Sequence, residues 1–307
     1  MERIFHALGD RNRLRIVLIL SRGPLSVGEI AWVLGLSQSN ASHHLKQLTG
    51  AGIVRRRGER GWAFYSINPD EPIVSGLLQT MDENRGALSC SGADLRRLST
   101  LYRERRNRSR EFFGALGEQW NLVRESLPSF DVYRDILSKT LGNPDTLLEI
   151  GVGAGHMIPF LAGVSKRVVG VDNSPEMLDA AAGSAREKGL AQRVDLRLGE
   201  AEHLPLGDGS VDAAMMHFML HHVGNPAEVL IEASRVIRSN GRLVLVEFTG
   251  HSSDSFRQRH GDLWPGFPPE EILVWCRDAG LTHKETKVFE EHSMMILSFE
   301  KGEPDAF

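Results

Sequence analysis

Cysteine is nearly absent from the chain. Cys90 and Cys276 are the only two in 307 residues. Two thiols build neither a disulfide framework nor a four-thiolate zinc site, and the scarcity suits a reducing cytoplasm. No apolar run approaches the roughly 20 residues of a membrane span. The opening MERIFHALGDRNRLR is too charged for a secretory leader, so no membrane partner is expected. Internal repeats and low-complexity tracts are missing as well. Hydrophobic residues make up 41% and charged residues 25%, ordinary values for a globular chain long enough for two or three domains.

A modest net charge of −4 conceals a split. Residues 1–110 carry 18 Lys and Arg against 10 Asp and Glu, and the remainder carries 18 against 30. A basic leading part on an acidic protein is the footprint of phosphate contact.

Apolar residues at Ile4, Phe5, Leu8, Leu14, Val17 and Leu18 have helical spacing with a break near Gly9-Asp10. Ser26 with Glu29 forms a capping-box pattern before Ile30, Val33 and Leu34, and Gly35 ends that helix. The next helix, SQSNASHHLKQLTGAG, closes at Gly50 or Gly52. Ala41, Leu45 and Leu48 fall on one face of it. Gln38, Ser39, Asn40, Ser42, His43 and Lys46 fall on the other, as short hydrogen-bonding groups and one cation suited to base edges and phosphates. Two strands follow, Ile53–Arg57 and Trp62–Ile67, around a basic tip, which makes a wing carrying Arg56, Arg57 and Arg60. Helix, glycine turn, helix and wing predict binding to double-stranded DNA.

This segment resembles the ArsR/SmtB family of winged-helix repressors through Ala7–Leu20, Glu29–Arg57 and the wing as far as Tyr65. The resemblance implies a homodimer on an inverted-repeat operator, with half-sites roughly 34 Å apart. Many members sense metal through paired cysteines, and those positions hold Ala31 and Val33 here. No metal role is expected for His43 and His44.

Pro72 to Met81 reads as an amphipathic helix, 82–93 as a polar hinge and Leu95 to Trp120 as a long charged helix. Strands and helices then alternate from Thr146 to Phe248, with Arg242–Glu247 as the fifth strand, which implies a parallel sheet covered on both faces. Strand Leu147–Ile150 runs straight into Gly151, Gly153 and Gly155, where bare backbone permits a tight turn and close ligand approach. The sixth position of the loop is His156, against a dinucleotide reading. Asp172 ends the second strand where a carboxylate can accept both ribose hydroxyls. Asn173, Ser174 and Pro175 then open a helix.

Residues 120–285 resemble class I S-adenosylmethionine-dependent methyltransferases of the small-molecule type. The resemblance assigns Glu149 and the Gly151–Gly155 loop to a methionine moiety and Asp172 to the ribose. It sets Met177 or Asn173 beside the adenine, Glu200 and Ala201 at its amino edge, and His217 beside the sulfur. The segment from Phe112 to Tyr133, with Trp120, would be a lid, and His260 to Phe267 would shape an acceptor pocket. The pair His221 and His222 reads as one core residue and one cap or surface residue, with no metal assigned.

The expected fold is therefore α/β with an N-terminal α+β winged helix and a doubly wound, mostly parallel Rossmann-like methyltransferase sheet. The expected domains are 1–80 (DNA-binding), 81–120 (linker, dimerisation and lid) and 121–307 (ligand). The layout resembles S-adenosylhomocysteine-responsive ArsR-type repressors of the methionine cycle. That implies a sensor of S-adenosylhomocysteine or S-adenosylmethionine, and a working methyltransferase with a regulatory winged helix is the alternative. No catalytic residue is assigned, although His217, His221 and His260 are candidate bases.

Overall fold

Packing divides the chain between Arg105 and Arg106, inside the segment that the sequence reads as linker and lid. The structure is a computed structural model describing residues 2–57, 63–68, 74, 76, 78, 91–116, 127–250 and 262–303. Arg60, Cys90, Trp120 and His260 lie outside these residues, as do most of the expected helix 72–81 and hinge. Among the described residues no helix is long and apolar enough to cross a membrane.

In the first unit, α1 (Glu2–Leu8) and α2 (Arg11–Leu20) are separated where the sequence breaks its helical pattern. Asp10 caps α2, its Oδ1 accepting from the backbone N–H groups of Asn12 at 2.9 Å and Arg13 at 3.0 Å. Helix α3 (Val27–Leu34) begins in the capping box expected from Ser26 and Glu29 and ends at Gly35 with φ +66°. Helix α4 (Gln38–Gly50) is capped by Ser37. A three-stranded antiparallel sheet follows, in the order β1 (Leu25–Ser26), β3 (Phe64–Ile67), β2 (Val54–Arg57). The sequence shows only two of these strands, because β1 is too short to display alternation. Helix α5 (Ser91–Leu116) reaches into the expected hinge. Asp94 lies in its first described turn, where the helix dipole favours an acid. Leu98 and Tyr102 of α5 join the core built by Ile16, Ile19, Leu45 and Leu48.

Asp94 is 1% exposed and ties this unit together. Its carboxylate receives Arg15 through two bonds, at 2.7 and 2.8 Å, and Arg97 at 2.8 Å. Arg15 and Arg97 also donate to the carbonyls of Leu34 and Val33 at the end of α3. Further along α5, Arg105 donates from Nε and Nη2 to Glu29 Oε1, the same side chain that closes the capping box of α3.

The second unit is a seven-stranded sheet in the order β6 (Val194–Leu198), β5 (Arg167–Asp172), β4 (Thr146–Ile150), β7 (Val211–His217), β8 (Ile237–Phe248), β10 (Met294–Lys301), β9 (Leu281–Phe289). Strands β4 to β8 are parallel and β10 is antiparallel to both of its neighbours. This is the mostly parallel sheet expected, extended by a β9–β10 hairpin that the alternation pattern does not reveal. Strand β8 begins five residues before the expected fifth strand. The Ser239-Asn240-Gly241 turn is absorbed as an irregularity, with a register shift against β7 and φ +59° at Asn240. Helices α6 (Arg134–Leu141), α7 (Ile158–Val164), α8 (Pro175–Glu187), α9 (Pro226–Val236) and α10 (Pro269–Asp278) complete the unit. One core cluster gathers Leu137, Leu147, Met215, Val244 and Ile296. A second gathers Val152, Ile158 and Ala181. The strand order reverses direction between β4 and β7. At such a switch point the loops leaving the carboxyl ends diverge and open a crevice.

Candidate functional site

A cavity of about 540 Å³ occupies that crevice, within the usual range for small-molecule sites. Its wall contains Glu149, Gly151, Gly153, Asp172, Asn173, Met177, Glu200, Ala201 and His217, nine of the ten residues singled out from the sequence for the ligand. Gly155 is the exception. A Cβ there would sit 2.7 Å from Ile158 Cδ1 and 3.0 Å from Ala181 Cα, so this glycine lets the loop pack onto α7 and α8. Gly151 has φ +75°, and a Cβ on it would lie 2.4 Å from Met219 Cγ, so a side chain is excluded both by backbone conformation and by the Met219 thioether.

The loop is held by the acid at the end of β5. Asp172 Oδ2 accepts from Gly153 N–H at 2.8 Å and Oδ1 from Ser174 N–H at 3.0 Å. Ser174 in turn caps α8 by accepting from Met177 N–H at 3.2 Å, with Pro175 at the first helical position as expected. Burial raises the Asp172 carboxyl above its usual range, the neighbouring backbone N–H groups oppose that shift, and the charge of Glu200 adds to it. Glu149, 2% exposed at the end of β4, is raised well above its usual range by burial and by the Asp172 charge. Among the described residues its Oε2 has no hydrogen-bond partner, although it is buried. Asn173 Nδ2 donates to Glu200 Oε2 at 3.1 Å and so orients that carboxylate.

Other wall residues escaped the sequence reading. Glu202 is 3% exposed, with Arg106 of α5 at 3.7 Å, and burial raises its pKa against the pull of that guanidinium. Both line the cavity, together with Ser109 and Phe113. The only sequence hint was an acid beside Glu200 and an arginine-rich helix. From the expected lid, Leu127, Pro128, Ser129, Phe130 and Tyr133 reach the wall. Tyr133 Oη lies 2.8 Å from His217 Nε2. Burial pushes the His217 pKa down to about 4, with the charge of His156 adding to it, so this imidazole is neutral at pH 7. Phe218, which follows β7, has φ +47°, a strained conformation for an aromatic residue. It is held there by its N–H bond to Val246 O and by packing on Phe248.

The pair after β7 differs from expectation. Both His221 and His222 are buried, because the segment is a short 3-10 turn covered by residues 262–264 and not a helix with an outer face. Leu263 and Trp264 N–H groups donate to the His221 carbonyl, and Trp264 Nε1 donates to Val223 O. His221 Nδ1 lies 2.6 Å from Glu247 Oε1. Burial lowers its pKa, but the Glu247 and Asp262 charges outweigh burial, so the net shift is upward. Of the expected acceptor-pocket segment, Asp262, Trp264 and Phe267 are buried without lining the cavity. Cys276 is also buried away from it, and burial raises the thiol pKa, so it offers no thiolate there.

In the first unit α4 buries Ala41, Leu45 and Leu48 and exposes Gln38, Ser39, Asn40, Ser42, His43 and Lys46 as a single solvent-facing row. His43 is tied to Gln47 at 3.0 Å and Gln47 to Arg13, an orienting chain unforeseen from sequence. His44 is buried beside Asp10. On β2, Arg56 is exposed and Arg57 is half-buried. Ala31 and Val33 are core residues.

Comparison with known proteins agrees with both halves. Residues 10–56 match the bacterial regulatory protein arsR family and residues 148–245 match a methyltransferase domain family. The chain is 35% identical over 101 residues to the uncharacterised methyltransferase YcgJ of Bacillus subtilis, covering 33% of this chain and 40% of that protein. It is 33% identical over 152 residues to the ubiquinone/menaquinone biosynthesis C-methyltransferase UbiE of Rubrivivax gelatinosus, covering 48% of this chain and 58% of that one. The chain thus spans only part of the length of these relatives. Among solved structures, the methyltransferase crystallised with the Haloferax volcanii Trm112 methyltransferase activator superposes with a TM-score of 0.51. That match has 17% identity and covers 62% of this chain and 98% of that one, which establishes a shared fold.

Proposed function

We propose that this chain is a DNA-binding transcriptional repressor whose methyltransferase-like domain senses an adenosyl ligand, S-adenosylhomocysteine in preference to S-adenosylmethionine, and controls genes of the methionine cycle. The carrying observation is that one helix serves both units. The first part of α5 supplies Leu98, Tyr102, Asp94 and Arg105 to the helix-turn-helix core, and Arg106, Ser109 and Phe113 line the ligand cavity. A ligand that binds one position of that helix better shifts the DNA-binding equilibrium, with coupling of roughly 1–3 kcal/mol in typical cases. On this reading Glu149 meets the amino-acid end of the ligand, Asp172 the ribose, Met177 the adenine face and Glu200 its amino group. A homodimer places two α4 helices on an inverted repeat.

His217, beside the assigned sulfur position, is neutral at pH 7, so it neither repels a sulfonium nor supplies it with a counter-charge. On this reading the methylated ligand gains nothing from His217 over the thioether.

The test is an anisotropy titration of the full chain on DNA upstream of its own gene, with each ligand added separately. The reading requires that micromolar S-adenosylhomocysteine change the DNA affinity and that the methylated form do so less. If neither ligand moves it, the sensor reading falls and the alternative of a working methyltransferase stands in its place, since methyl transfer needs little beyond positioning of an already activated sulfonium.

Binding has an expected pH signature. Glu149 has a folded-state pKa above its unfolded value, so the stability linked to it is present at low pH and is lost as pH rises through the folded value. A ligand ammonium at Glu149 favours the carboxylate, so binding expels a proton and affinity rises with pH across that interval. Calorimetry in buffers of different ionisation enthalpy will read the proton directly. Glu149→Gln should abolish the release. A flat pH profile in the wild-type chain removes Glu149 from contact with the ammonium.

A further inference from the structure

Among the described residues, one group of side chains converges closely enough to hold a cation: His221, His222 and Asp262, all buried, with a donor atom from each within 4.8 Å of the others. We propose that these three residues bind a first-row divalent cation of the zinc type, with its remaining coordination position open to the ligand cavity. The inference rests on side-chain geometry within the second unit and is independent of the repressor reading.

The donor spacing fits the chemistry. Tetrahedral zinc with ligand bonds of about 2.0–2.1 Å sets its donors about 3.4 Å apart. Here His221 Nε2 and Asp262 Oδ1 are 3.6 Å apart, and His222 Nδ1 and the same oxygen are 3.7 Å apart. These separations are too long for strong hydrogen bonds and close to those of two ligands sharing one ion. Two imidazoles and one carboxylate favour zinc-like transition metals over magnesium or calcium. The ring nitrogen of His221 that would not bind the metal lies 2.6 Å from Glu247 Oε1. A carboxylate behind a histidine ligand fixes its tautomer and aim. Glu247 is itself held by the N–H groups of His221 and Phe248.

The backbone is prepared as well. The N–H groups of Leu263 and Trp264 both donate to the His221 carbonyl, which fixes the residues following Asp262 against the histidine turn before any ion arrives. The two rings stand 4.0 Å apart by centroid, and Phe113 packs edge-on against His222 at 4.7 Å. His221 and His222 line the cavity and Asp262 does not, so the open position faces the ligand side. Among the described residues the donors number three, and three protein donors plus one exchangeable position is the pattern of a site that engages a ligand. A water, or an oxygen or sulfur donor of a small molecule in the cavity, would complete it.

The competing arrangement is a His221 imidazolium held between Glu247 and Asp262 with no metal. To separate the two, untagged full-length protein is stripped with chelator, dialysed and titrated with cobalt(II) and then zinc(II). The expected result is one equivalent per chain, with the intense visible absorption of four-coordinate cobalt(II), displaced by zinc(II). His222→Gln and Asp262→Asn should each weaken binding by more than the about 10–100-fold expected for Glu247→Gln, a second-sphere change. Each variant is also melted in chelator, where an unchanged transition shows that it still folds. If Asp262→Asn does not fold, His222→Gln alone carries the result. Absence of binding to the wild-type chain overturns the proposal in favour of the imidazolium. Binding that survives both variants places the metal elsewhere and overturns it equally.

Discussion

Replacing Asp94 by alanine will cost the first unit about 3–5 kcal/mol, the largest stability loss expected from any single truncation discussed. Asp94 is 1% exposed, and its carboxylate is the shared partner of Arg15 and Arg97. Arg15 would lose two short charge-assisted bonds, and its guanidinium, 13% exposed, would keep its charge in a site with little water. Breaking a buried pair from one side is costly for this reason, whereas replacing both members with apolar residues of similar size is often close to neutral. The double variant Arg15→Met/Asp94→Leu should therefore recover most of the loss. Native-state hydrogen exchange at the amides of α2 and α3 reads this locally, without requiring both units to unfold together. A loss below about 1 kcal/mol, or a double variant no better than the single one, would show that the pair is solvated and structurally idle.

For Asp172→Ala the expected outcome is a collapse of ligand affinity with DNA affinity of the empty protein preserved. Two hydrogen bonds from ribose hydroxyls to a carboxylate amount to about 3–6 kcal/mol, on the order of 10²–10⁴-fold in Kd. The loop suffers too, since Gly153 and Ser174 lose their acceptor. Asp172→Asn should fare nearly as badly. An amide offers one oxygen where two N–H groups converge, and its NH₂ would point a donor at a donor. Calorimetric titration with S-adenosylhomocysteine supplies the comparison. Affinity within about threefold of wild type would make Asp172 a tie for the glycine loop alone. If DNA binding also fails, the two states are not coupled as proposed.

Much of this protein is written in local rules. The capping box at Ser26 and Glu29, the stop at Gly35, the inward row of α4 and the glycine turn into an acid at the end of β5 are each decided within a few residues. Nine of the ten residues proposed for the ligand line one cavity, because the turn and the strand ends that carry them recur with fixed spacing. What stayed hidden depends on distant partners. Arg106 meets Glu202 across 96 positions of chain, and Asp262 meets His221 and His222 across about 40. Gly155 lies outside the cavity wall, and Ile158 and Ala181 packing against it already leave no room for a side chain, which its spacing in the loop did not reveal. The histidine pair was read on helical geometry, in which neighbours diverge, and the 3-10 turn gives both rings to the same interior.

The outer strand of the large sheet bears on behaviour in company. Among the described residues strand β9 leaves one side of its backbone without a neighbouring strand, and such a rim is a template on which another chain can add. Here the rim carries His283, Lys284, Glu285 and Lys287, exposed and of mixed sign, and a register irregularity at Ser298/Phe299 bends the pairing behind it. Charges and irregular pairing of this kind discourage lateral growth. An adhesive rim would join copies edge to edge into open-ended filaments, and the charged border works against that growth.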